Sequence, residues 1–230
     1  MGGTRAENPS MKSLLLLLSF FISLALGGCR SKEQETALVN DYVKKTFTAT
    51  SYNYTPHGLF GIRFKVASVP FRIDETAGGG TVFPATADTV ALDDGRLINF
   101  SAGNCCFIWD QPLAKPVLIR VVWSVVYDLD LFNGESSKNY DDRTSRISQP
   151  GSRWCEALVE IPAYVGTQRP DTVFFHFLPD GSVQAELGTA IQPLSADTVR
   201  HHSTTLARPQ YCKQEIENPW RGVPRQPHRE

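Results

Sequence analysis

The sequence predicts an all-β fold, an antiparallel β-sandwich, set between an N-terminal signal and tether segment and an irregular C-terminal tail. Three observations predict it: at least five segments alternate apolar and polar residues, turn residues separate them, and helical periodicity is scarce. The expected organisation is a signal peptide over residues 1–28, a tether over 29–45, a sandwich over 46–190 and a tail over 191–230. A chain of about 200 residues after the signal can bury enough apolar surface to fold as one unit.

The N-terminal segment reads as a secretion signal. Lys12 gives a short basic flank, and Leu14 to Leu26 is apolar or small over 13 residues. That is the length of a signal-peptide core and short of the roughly 20 residues that span a bilayer. Met11 is the expected true start, because a polar extension such as residues 1–10 rarely precedes a signal. Leu26-Gly27-Gly28-Cys29 resembles the lipobox of bacterial lipoprotein precursors. The resemblance implies cleavage between Gly28 and Cys29 and lipidation of Cys29, with several acyl chains anchoring far more firmly than one. Arg30 stands where an Asp would retain an enterobacterial lipoprotein in the inner membrane, so an outer-membrane anchor facing the periplasm is expected. Residues 30–45 are mostly polar and read as the tether.

The strands follow in order. Ile62, Phe64 and Val66 alternate with Gly61, Arg63 and Lys65. Asp74–Gly80 reads as a loop because of its three glycines, which are not followed by the Lys-Ser/Thr of a phosphate cradle. Pro116–Asp130 is the clearest strand: Val117, Ile119, Val121, Trp123, Val125 and Tyr127 form one apolar face, and the mixed second face is expected to be partly exposed. In Arg153–Tyr164, Cys155, Ala157, Val159 and Ile161 point inward, and Pro162 marks a strand end. Thr172–Leu187 reads as a hairpin turning at Pro179-Asp180-Gly181-Ser182, with His176 on its surface face. The Pro- and Arg-rich end reads as a poorly ordered tail pinned through Cys212.

Chemistry is sparse. Apart from Cys29, Cys105, Cys106, Cys155 and Cys212 form an even set suited to an oxidising compartment. A disulfide from the 105/106 doublet to Cys155, Cys212 or both is favoured over a zinc site, since no Cys-x-x-Cys occurs. Asp128–Glu135 departs from a calcium loop at its fifth, sixth and twelfth positions. Neither a Gly-x-Ser-x-Gly elbow nor a His-Glu-x-x-His is present. Asp141-Asp142-Arg143 and Arg146 read as a solvated loop. The near-neutral net charge of −1 carries no nucleic-acid footprint. No cofactor, metal or catalytic residue is expected, and the protein is not expected to be an enzyme.

Three segments together resemble a family of small uncharacterised bacterial lipoproteins over roughly residues 48–188. They are Ser51-Tyr52-Asn53-Tyr54-Thr55 followed by Ile62–Val66; Cys105-Cys106-Phe107 followed by Val117–Trp123; and Val159-Glu160-Ile161-Pro162-Ala163-Tyr164 followed by His176-Phe177-Leu178-Pro179-Asp180-Gly181. The chain departs from that pattern in a bulkier loop between Phe107 and Pro116 and in Cys155 and Cys212. Some such lipoproteins are encoded beside type VI secretion effectors, notably phospholipases, and the resemblance therefore implies an immunity role. The partner is then a secreted toxic protein. Phe107, Trp109, Phe132 and Tyr140, taken as exposed loop aromatics, are the candidate anchors for it, with core packing the competing reading of each. The alternatives are a structural or assembly lipoprotein, and a hydrolase with a dispersed site. A cluster of His176 or His201 with carboxylates in one cleft would favour the hydrolase.

Overall fold

A computed structural model describes residues 45–84, 86–190, 192–203, 206 and 210–225. Cys29, Gly28, the signal and nearly all of the tether lie outside them. Among the described residues two five-stranded sheets face each other. The first runs β4 (Asp88–Ala91), β5 (Leu97–Trp109), β1 (Lys45–Asn53), β8 (Thr172–Phe177), β9 (Val183–Gly188). The second runs β10 (Glu215–Ile216), β7 (Ser152–Ile161), β6 (Val117–Val126), β2 (Gly58–Val66), β3 (Ala77–Val82). The sandwich expected from the alternation is present. One pairing departs from the antiparallel rule: β1 and β8 run parallel, Thr48 opposite Thr172 and Asn53 opposite Phe177.

The core forms where alternate residues of both sheets meet. From β6 come Val117, Ile119, Val121, Trp123 and Val125, and from β8 Val173, Phe175 and Phe177, all buried. Phe64 meets Phe175 at 4.8 Å between ring centroids, and Trp123 meets Phe177 edge-on at 5.2 Å. Each fully buried Phe of this kind contributes about 1.5–3 kcal/mol.

Two readings need correction. The glycine run lies in β3, not in a loop. A Cβ at Gly79 would sit 2.5 Å from Ile62 Cγ2, and Ser51 Oγ of the facing sheet donates to Gly79 O at 2.6 Å. The missing side chains let this strand approach the opposite sheet closely. The tail beyond residue 191 is also more structured than expected. Helix Ala196–His201 covers the outer face of the first sheet, where Tyr52, Phe100, Phe174 and Val199 cluster. β10 pairs with β7, and Trp220 packs beside Val122 and Trp154 on the outer face of the second. Both sheets are thus partly buried on both faces, which conceals the alternation in β8. No described helix is long and apolar enough to cross a membrane.

Candidate functional site

The four candidate anchors are not exposed loop aromatics. β5 extends through Trp109, so alternation turns Phe107 and Trp109 toward the facing sheet while Ile108 stays outside. Trp109 is 3% exposed and lies 5.6 Å from Phe47; Phe107 meets Phe64 edge-on at 4.8 Å. Both line an apolar cleft of about 250 Å³ with Lys65, Val66 and Val69. Phe132 is buried on the short helix Leu129–Asn133, which Asp128 caps by accepting from Leu131 N at 2.9 Å. It packs on Phe60 and Phe83. Tyr140 is half-buried and donates to Ile147 O at 3.1 Å; burial, with Asp142 and Asp141 nearby, pushes its pKa up to about 12. Phe132 and Tyr140 line a void of about 50 Å³ between Ser124, Trp154 and Trp220.

The cysteine pairing is also corrected. Cys155 and Cys212 bond each other across a separation of 57 residues, with Cα atoms 6.1 Å apart. Cys155 points inward on β7 opposite Trp123, and the pairing of Glu215 with Cys155 carries Cys212 to it. The 105/106 doublet falls on β5 in the other sheet, and its side chains lie outside the described structure.

His176 is buried, not on the surface, at 1% exposure. It stacks on Tyr52 at 5.1 Å with an interplanar angle of 4°. Leu194 N donates to Tyr54 Oη at 2.8 Å, and that hydroxyl lies 3.0 Å from His176 Nδ1. Nε2 lies 3.5 Å from Glu186 Oε1. Burial pushes Tyr52 up to about 12 and raises Tyr54 as well. A cleft of about 430 Å³ adjoins His176, Glu160, Gln184, Glu186 and Leu194. The sequence thus named a histidine that the fold does bring beside a carboxylate. His176 Nδ1 and the Tyr54 hydroxyl form a chain that ends on Leu194 N and holds it against the sheet, while Nε2 is buried without a hydrogen-bond partner. His201 is exposed at the end of its helix, while His202 Nδ1 lies 3.1 Å from Asp180. No three described His, Cys, Asp or Glu residues converge as a metal-binding set.

The other polar centre was missed entirely. Outside the second sheet a pocket of about 620 Å³ is lined by Arg63, Asp74, Asp142, Arg143, Trp220 and Arg225. Arg63 stands on the outer face of β2, opposite Val122. The loop after Tyr140 is tied to the C-terminal segment through Asn218, whose Nδ2 donates to Asp142 O at 2.6 Å and Ser145 O at 2.9 Å. Gly222 N donates to Arg143 O at 2.7 Å. These bonds place the Trp220 ring 4.2 Å from the Arg143 guanidinium and 5.6 Å from that of Arg63. Burial lowers the Arg63 pKa. The sequence signals were an arginine in a strand and a tryptophan in a tail, and nothing in their spacing of more than 150 residues connects them.

Comparison with known proteins adds no relative: no family model, no curated protein and no solved structure matches the chain.

Proposed function

We propose that the protein is a lipid-anchored envelope domain that acts by binding another protein, most concretely an immunity protein that neutralises a type VI secretion effector such as a phospholipase. The observation that carries this reading is the leader ending in Leu26-Gly27-Gly28-Cys29 ahead of a β-sandwich. The resemblance of the three segments between residues 48 and 188 to lipoproteins encoded beside such effectors gives it its specific form. An acyl anchor on Cys29 would hold the inhibitor at the surface a lipase attacks and so raise its effective concentration there. The groups gathered outside the second sheet support a binding role too: guanidinium and indole side chains are the ones most often found as anchors of protein interfaces.

The test is capture of the full chain, produced with its leader and extracted in mild detergent, followed by identification of what accompanies it. Stoichiometric recovery of a product of an adjacent gene, with loss of that product's lipase or other toxic activity, is expected. Recovery of envelope or secretion-apparatus components alone, or of nothing, would overturn the immunity reading.

A further inference from the structure

The apolar cleft at Trp109 is not filled by the described residues. Phe64, Val66, Val69, Phe107, Ile108 and Trp109 make most of its wall. The polar groups on its rim are already engaged: Lys65 Nζ lies 3.5 Å from Glu75 Oε2 and donates to Pro70 O at 3.2 Å. Two large apolar residues at the mouth stand in water, Ile108 at 60% exposure and Val69 at 44%. Apolar surface gathered at one concave place gains free energy when something apolar covers it. The volume, about 250 Å³, falls below the roughly 300–1,000 Å³ of small-molecule sites. It suits about two large side chains, since the cavity left by one deleted leucine is about 150 Å³. The chain itself leads to this place. Lys45, where β1 begins, is paired with Trp109 of the cleft wall. The residues ahead of it therefore enter at the mouth, and Val43 can be no more than about 7 Å from Lys45. Their pattern suits the cleft. Leu38 and Tyr42, and Val39 and Val43, are spaced by four, with Asn40 and Asp41 between them. In a helix the four apolar residues share one face and the two polar residues lie opposite. So short a stretch has no stable helix of its own and gains one by laying that face on apolar surface.

We propose that the segment just ahead of β1 docks back onto the domain, with Leu38, Val39, Tyr42 and Val43 closing the cleft at Phe107, Ile108 and Trp109. The occupant is this chain's own. The docking shortens the tether: between Cys29 and the domain the free chain is then residues 30–37 and not 30–44, and its greatest reach falls from about 50 Å to under about 30 Å. It also turns the Trp109 end of the sandwich toward whatever holds the N-terminus. The inference needs neither the lipid on Cys29 nor the immunity partner, and stands whether or not those readings do.

The test places a photoreactive benzophenone side chain at Val69 of the full chain, kept in mild detergent, and maps the crosslinks by mass spectrometry. The expected product joins that position to a peptide within residues 37–44 of the same molecule; mixing isotope-labelled and unlabelled chains tells one molecule from two. The paired change Leu38→Asp/Tyr42→Asp should weaken that crosslink at least about tenfold and lower the melting temperature by about 5 °C or more, because two large side chains leave apolar contact. Asn40→Ala/Asp41→Ala, on the opposite side of the stripe, should change neither. The same probe at Ile108 repeats the measurement if the Val69 variant does not fold. A Cys29→Ser chain should crosslink equally, which separates this docking from a seat for an acyl group. Crosslinks only between molecules, only to detergent or lipid, or to neither, or an undiminished crosslink after Leu38→Asp/Tyr42→Asp, would overturn the proposal.

Discussion

Asp180 sits in the β8–β9 turn and accepts from Ser182 N at 3.0 Å, from His202 Nδ1 at 3.1 Å and from Lys213 Nζ at 3.3 Å. Burial works to raise its pKa, but the hydrogen bonds from Ser182, His202 and Lys213 outweigh it and hold the carboxyl well below the usual range. A carboxyl with a folded pKa below its unfolded value of about 3.9 contributes stability that is complete above about pH 5 and lost as the pH falls toward the folded value. Asp180→Asn is therefore expected to unfold about 1–2 kcal/mol more easily at neutral pH. Its deficit should shrink between about pH 5 and pH 2, which urea melts at stepped pH would read out. An equal deficit at every pH would contradict this account. At this scale the sequence was partly legible. Pro179-Asp180-Gly181-Ser182 announces its turn, because a turn is local. The partners His202 and Lys213 lie 22 and 33 residues away in a segment without periodicity, and a contact across that distance leaves no local signature. The same holds for Arg63 and Trp220.

The element that most changes the picture is the C-terminal segment. Its strand is two residues long, too short for any alternation to reveal, and its docking depends on the Cys155–Cys212 bond and on Asn218. β2, β6, β7 and the β8–β9 hairpin were legible because the residues they turn to the central core keep their period in the residue order, whereas β1 and β5, the longest strand at 13 residues, were not, and Phe107 and Trp109 of β5 read as loop aromatics. β3 was not legible either, because glycine has no side chain to report which way it points, and it is there to admit the facing sheet. A disulfide closing a loop of this length stabilises by about 2–4 kcal/mol. The Cys155→Ala/Cys212→Ala double variant should melt correspondingly earlier, and limited proteolysis should cut it within residues 203–225 before the sandwich is attacked. Unchanged protection of that segment would show that hydrogen bonds and Trp220 hold it without the bond.

For the whole molecule the decisive residue lies outside the described structure. If Cys29 carries lipid, cells fed a palmitate analogue will label the full chain, and the label will partition with membranes. Cys29→Ser should be unlabelled and leave the membrane fraction; labelling that survives the substitution would refute lipidation at that residue.

The parallel pairing of β1 with β8 has a consequence for how the chain comes into being. The first of the described strands to be made is the middle of its sheet, and its neighbours come from β5 and from a strand 124 residues further on. Until those arrive it has nothing to zip to, and the loop to be closed is long. A chain threaded through a translocon N-terminus first therefore delivers the keystone before the arch. If this chain is exported that way, it will reach the far side as an extended thread and gain its shape only after nearly all of the domain has crossed.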